Sequence, residues 1–187
     1  MSQRASAAEA TRRRILEASL KLHAEKGFAA TSWQDIAKEA DVAIGTVYFH
    51  FPTVDELIPA CSALGMTLMP LPSAEIFSGL RGRAQRVRRL VEELFGFYER
   101  ARAPLTHTFA ERERVDAVGR LATEIQSAIR GLVAAALDPG ASATAVDQAD
   151  ALLDFRCWQA MRERGFSRRK AIEFATALTM KTPLTNS

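Results

Sequence analysis

The stretch from Thr31 to Phe51, TSWQDIAKEADVAIGTVYFHF, constrains this chain more than any other. It reads as two short helices around a tight turn. Ser32 is placed to cap the first, with Asp35 reaching back in the manner of a capping box. Ile36, Ala37 and Ala40 give that helix one apolar face. The turn falls at Glu39-Ala40-Asp41-Val42, where Asp41 tolerates the left-handed backbone that a bulkier residue resists. The second helix starts near Ala43. It turns Val47 and Phe51 inward and leaves Ile44, Gly45, Thr46, Tyr48, Phe49 and His50 outside. Two short helices with a mixed outward face on the second form the layout of a helix-turn-helix that enters the DNA major groove.

Such a reader needs donors for phosphates, side chains that reach base edges, and a small residue that admits the backbone. Gly45 suits the last role, while Thr46, Tyr48 and His50 are donors. Trp33 offers an indole N–H at the start of the first helix, beside free backbone amides. Ala43 and Ile44 are apolar and suited to thymine methyls, and Phe49 completes the outward set. The alternative for Tyr48 is an amphipathic core residue with a wet hydroxyl, and for His50 a packing or capping histidine.

The run resembles the DNA-binding module of TetR-like transcriptional regulators. The resemblance rests on Gly27-Phe28, Asp35-Ile36-Ala37, Gly45-Thr46-Val47-Tyr48-Phe49-His50-Phe51 and Asp55-Glu56-Leu57, all in register. It covers roughly residues 9 to 69. The chain departs from the family at Ala43-Ile44, where Ser-Lys or Ser-Arg is frequent, and at Val54, where a lysine is usual. The resemblance implies a homodimer on a double-stranded, palindromic DNA operator. It further implies release by a small-molecule effector, repression as the usual mode, and no cofactor.

The rest of the chain shows helical periods and no strand pattern, so an all-α fold of about nine helices is expected. Residues 1–8 are small and polar and are expected to form a flexible N-terminal arm. Residues 9–69 form the three-helix head and a linker helix that contains Pro59, and Pro70-Leu71-Pro72 marks a boundary. The resemblance implies that residues 73–187 form the effector-binding and dimerisation body. The resemblance puts dimer packing on 144–164 and 167–180, with stripes of Val146, Ala149, Leu153 and Ala160, and of Ala171, Ala175 and Leu178. Phe95, Tyr98, His107, Phe109, Phe155 and Trp158 are candidates to line a pocket for an apolar or aromatic molecule. Aromatics at helical spacing are more commonly core. The arginines at 81, 83, 86, 88 and 89 read as a solvated helix face.

Net charge of +3 is compatible with a nucleic-acid partner but does not require one, and the acidic residues of the head offset its lysines and arginines. Cys61 and Cys157 read as free buried thiols of a reducing compartment. No signal peptide or membrane-length apolar run is visible, which makes a cytoplasmic location the expectation. Two rival classes remain. One is a helix-turn-helix-derived adaptor without DNA binding, favoured by the acidic head. The other is a helical metal-dependent enzyme, suggested only by the spacing of His107 and Glu111. No nucleophilic triad or phosphate loop accompanies that pair, so no catalytic or metal residues are assigned.

Overall fold

A computed structural model describes residues 3–183 of the chain. Among them every regular element is helical. In order these are α1 (Gln3–Lys26), α2 (Trp33–Glu39), α3 (Ile44–His50), α4 (Val54–Leu68), a 3-10 turn (Ala74–Phe77), α5 (Arg83–Arg100), α6 (Arg102–Glu111), α7 (Asp116–Ala136), α8 (Ala143–Leu152), α9 (Phe155–Glu163) and α10 (Arg168–Lys181). No described helix is long and apolar enough to cross a membrane. The helix begins at Gln3, so residues 3–8, expected to be a flexible arm, continue α1. Ala5, Ala7, Ala8 and Glu9 are strong helix formers, and propensity carries the helix through these exposed residues.

The chain divides into two compact units. The first is Met1–Pro70 with Arg102–Glu124, the second Leu71–Ala101 with Ile125–Ser187. Compactness therefore does not follow the linear split at 69 and 73. The reason is packing: Ile58 of α4 shares a cluster with Ala117 and Val118 of α7 and with Phe28. The main core of the first unit is built from Ile15, Leu16, Ala18 and Leu22 of α1, Ile36, Ala37 and Ala40, then Val47 and Phe51, closed by Leu57 and Cys61 of α4. Each helix contributes residues at helical spacing, so one face is apolar and the other meets water.

In the second unit α5 buries Val87, Leu90, Val91, Leu94, Phe95, Phe97 and Tyr98, α10 packs against α5, and Ala171 and Ala175 of α10 are buried. Small residues permit this close approach. Val146, Ala149 and Leu153 are also buried within the chain. The stripes expected to meet a second subunit are thus mostly committed to one chain's own core.

The arginines of α5 are not uniformly solvated. Arg88 and Arg89 make exposed pairs with Glu92 and Glu93 one turn on. Arg83, in contrast, donates to the carbonyls of Thr179 and Thr182, both at 3.0 Å, at the end of α10. Arg86 donates to the carbonyls of Ala136 (3.3 Å) and Leu137 (3.1 Å) and to Asp138 (3.2 Å) at the end of α7. The last carbonyls of a helix lack internal partners, and a guanidinium satisfies them while complementing the helix dipole.

One helix expected over 144–164 is two, which raises the count to ten α-helices among the described residues. α8 is capped by Ser142, and its C-cap is Leu153. Asp154 caps α9, its side chain accepting the Arg156 N–H at 2.8 Å. The Leu153 carbonyl left outside accepts the Tyr98 hydroxyl at 2.9 Å. Burial pushes the Tyr98 phenol well above its usual range, so it stays a donor. Cys61 is buried as expected, and its thiol is pushed up to about 12 by burial, whereas Cys157 is exposed.

Candidate nucleic-acid interface

The α2–α3 pair is set by local chemistry. The Asp35 N–H donates to the Ser32 hydroxyl at 3.1 Å, and the Asp35 carboxylate accepts the Ser32 N–H at 3.0 Å, completing the capping box. The same carboxylate accepts Lys26 Nζ at 2.7 Å. The hydrogen bonds from Lys26 and Ser32 hold Asp35 well below the usual carboxylate range. At the other end Val42 N–H reaches the Ala37 carbonyl at 3.0 Å and Asp41 N–H the Lys38 carbonyl at 3.3 Å. That pair of bonds is a Schellman closure. It places Asp41 at φ 52°, in the left-handed region where glycine is commonest.

α3 then presents two distinct faces. Val47 and Phe51 are buried at 0% and 2% exposure, and the Arg12 guanidinium covers the Phe51 ring at 4.9 Å. Outside, Ile44 is 37% exposed, Tyr48 43% and Phe49 80%. A side chain at Gly45 would meet nothing within 4 Å, so the backbone there is open to an incoming surface. Ala43 caps the helix without a side-chain bond and is exposed. Thr46 and His50 are half-buried, and the His50 ring meets Phe49 edge-on at 5.3 Å. Trp33 of α2 is also half-buried, its ring 5.2 Å from that of Tyr48. Seven of the eight residues expected to touch DNA thus lie on α2 or α3 and the eighth, Ala43, caps α3, and the aromatic contact ties Trp33 to the outward face. Three of the charges around them are paired: Arg13 with Glu17, Lys21 with Glu39 and Lys26 with Asp35.

Residues 15–61 match the family described as bacterial regulatory proteins, tetR family. The chain is TetR-like. The helix-turn-helix regulator YerO of Bacillus subtilis (strain 168), whose description calls it uncharacterized, is 39% identical over 64 residues, which are 33% of this chain and 22% of YerO. This TetR-like chain therefore spans about a fifth of the length of that curated relative, and the similarity lies in one segment. Likeness of fold extends further. A TetR-family member from Streptomyces coelicolor A3, SCO1917, superposes with TM-score 0.65 over 90% of this chain and 97% of its own, at 24% identity. The multidrug binding protein EbrR, crystallised with malachite green, superposes with TM-score 0.64 over 91% of this chain and 96% of its own, at 25% identity.

The residues expected to line a pocket are divided between the two units. Phe95, Tyr98, Phe155 and Trp158 of the second unit are 0–1% exposed. Tyr98 sits at the centre, 6.1 Å from Phe95, 5.4 Å from Phe155 and 5.7 Å from Trp158 between ring centroids. These four rings are packed as core, and a ligand among them would have to part them. His107 and Phe109, both half-buried, are on α6, in the first unit. A cleft of about 480 Å³ does open in the second unit, lined by Gln126, Asp147, Asp150, Asp154 and Cys157 among others. Sequence reading missed it. The spacing of Asp147 and Asp150 was a usable signal, since residues three apart share a helix face, whereas Asp154 joins them only because the chain breaks between α8 and α9.

His107 and Glu111 do meet, at 3.4 Å. The other Glu111 oxygen accepts the Ala29 N–H at 2.6 Å, so this carboxylate holds a backbone turn in the head. No local pattern in the sequence foretells that contact.

Proposed function

We propose that the protein is a transcriptional regulator that binds DNA through α3 as a homodimer on a palindromic operator, acting as a repressor that a small-molecule effector releases. The observation that supports it best is the exposure of Tyr48 and Phe49 on a helix whose opposite face is core. Water-facing aromatics are unfavourable in isolation and fit a face that awaits a partner. Gly45 beside them leaves room for close approach, and Tyr48, Thr46 and His50 supply donors for phosphate or base edges. Ala43 and Ile44 supply apolar contact for thymine methyls, so the half-site contains A·T pairs.

Two-fold symmetry follows from needing two heads on successive major grooves, about 34–36 Å apart. With the Ala171 and Ala175 stripe buried within the chain, the dimer contact uses the outer side of the C-terminal helices, where Phe174 is 45% exposed. EbrR's complex with malachite green supports a small-molecule effector here, of apolar or aromatic character, and residues 73–187 are the part assigned to bind it. A cytoplasmic site of action accords with this reading.

Selection of bound sequences from random DNA, followed by mobility shift with Tyr48→Ala, tests the proposal. A two-fold symmetric site whose binding Tyr48→Ala abolishes is expected, and binding that survives replacement of its thymines by uracil sinks the methyl contacts. The matched charges of the head favour a second reading, an adaptor without DNA affinity. That reading predicts no selected sequence at all.

A further inference from the structure

The α1–α2 turn is where the first helix hands over to the DNA-reading pair, and a residue from far along the chain closes it. α1 stops at Gly27, whose φ of +88° reverses the chain. Phe28 then folds back so that its ring lies 4.4 Å from that of His23. Ala29 N–H points outward from the turn and donates to Glu111 at the end of α6, at 2.6 Å. Thr31 closes the other side of the turn, its hydroxyl donating to the Gly27 carbonyl at 2.7 Å. One residue further Ser32 caps α2. The Glu111 carboxylate is only 12% exposed, and His107 one turn back on α6 lies 3.4 Å from it. Gly27 has no room for a Cβ: it would press into the Glu111 carboxylate and reach within 2.8 Å of His107 Nδ1. Carboxylate and turn are therefore fitted to each other closely.

We propose that Glu111 is a positioning residue for DNA binding, its carboxylate fixing the α1–α2 turn and so the angle at which α2 and α3 are offered to the duplex. This rests on the DNA-reading function proposed above. A charged acceptor on a backbone amide is among the stronger hydrogen bonds, and it is directional. Because the turn between Gly27 and Ser32 is short, a displacement of α6 is passed on to the α2 N-terminus rather than absorbed. Any event that shifts the end of α6 then alters the presentation of α3 without touching it.

The experiment compares Glu111→Ala, Glu111→Asp and Glu111→Gln in the full chain. It reads amide hydrogen exchange at Ala29, the melting temperature, and affinity for a DNA site selected by the unaltered protein. Glu111→Gln keeps an acceptor oxygen at the same reach and is expected to bind within about threefold of the unaltered protein. Glu111→Ala removes the acceptor, and Glu111→Asp withdraws it while retaining the charge. Both are expected to speed Ala29 exchange and to weaken DNA binding about tenfold, the loss of one charge-assisted bond. Adding Gly27→Ala is expected to harm the Glu111→Ala background less than the native one, because the clashing carboxylate is gone. Equal DNA affinity in a folded Glu111→Ala or Glu111→Asp variant overturns the proposal, as does a Glu111→Gln variant as weak as either. If the unaltered protein selects no DNA, the regulator reading fails instead, and Ala29 exchange still reports whether Glu111 holds the turn.

Discussion

Two groups of aromatic residues in this chain have opposite surroundings. Trp33, Tyr48 and Phe49 lie on α2 and α3 with Phe49 80% exposed, while Phe95, Tyr98, Phe155 and Trp158 are sealed at 0–1% exposure. The residue types are alike, and only their burial separates them. An aromatic ring in the core stabilises the fold through area and packing. One left in water contributes nothing to folding and is explained only by something that covers it. Aromatic content alone therefore does not indicate a ligand pocket. Four of the rings expected to line one are fully buried, and the open cleft beside α8 and α9 is lined by three aspartates among others, with no aromatic ring.

Truncating each group tests this contrast with opposite results. Trp158→Ala removes the largest fully buried side chain and is expected to cost about 3–5 kcal/mol in urea unfolding. Phe49→Ala should stay within about 0.5 kcal/mol of the parent, as surface substitutions usually do. A Trp158→Ala loss below about 1 kcal/mol would mean that the cluster is loosely packed and revive it as a cavity.

The head has its own buried ring, and its effect depends on pH. His23 is 4% exposed, and burial lowers its pKa from 6.5 to about 4, with Glu111 opposing and His107 adding to the shift. Cys61 faces it at 3.8 Å and stays a thiol. Above pH 6.5 both folded and unfolded chains hold this histidine neutral, so it gives no pH dependence there. Between about 6.5 and 4 only the unfolded chain takes up the proton, and the fold loses about 3 kcal/mol as pH falls. Urea titrations at pH 7 and pH 5 should show the loss, and His23→Phe should flatten it.

Tyr98 joins packing to a polar contact. Tyr98→Phe keeps the ring but leaves the Leu153 carbonyl, where α8 gives way to α9, without its donor. The expected cost is about 1–3 kcal/mol, measured by urea unfolding. No change would show that Asp154 alone breaks the helix.

What the sequence disclosed, and what it did not, divides by range. The capping box at Ser32 and the left-handed Asp41 are decisions within a few residues, and both are found as read. The break between α8 and α9 involves Tyr98, 55 residues away, and Glu111 closes a turn 82 residues upstream. Arg86 looks like any solvated arginine until α7 ends 50 residues later and offers it carbonyls. Periodicity reports which face of a helix is apolar, not what that face or its flanks will meet. The same limit explains why Ala171 and Ala175, expected to meet a second subunit, are buried within the chain instead. For the interface the outward set was legible because Val47 and Phe51 fix the inward side of so short a helix. The Trp33–Tyr48 contact was not, since it depends on the crossing of α2 and α3.

That crossing is set at Asp41, where the smallest effect is expected. A non-glycine residue at φ 52° carries a backbone cost of roughly 1 kcal/mol, which aspartate reduces through its short polar side chain. Asp41→Gly removes that cost in the folded state but gives the unfolded chain more freedom, so the net gain should be no more than about 1 kcal/mol. Asp41→Val has neither the polar side chain nor tolerance for this backbone and should be destabilising by more than the glycine gains. Paired urea unfolding and DNA-binding measurements separate two roles. If Asp41→Gly raises stability and leaves affinity unchanged, the turn serves only to close the Schellman motif. If affinity falls while stability rises, the aspartate also holds α3 at its working angle, and the exposed aromatics depend on that angle as the buried ones do not.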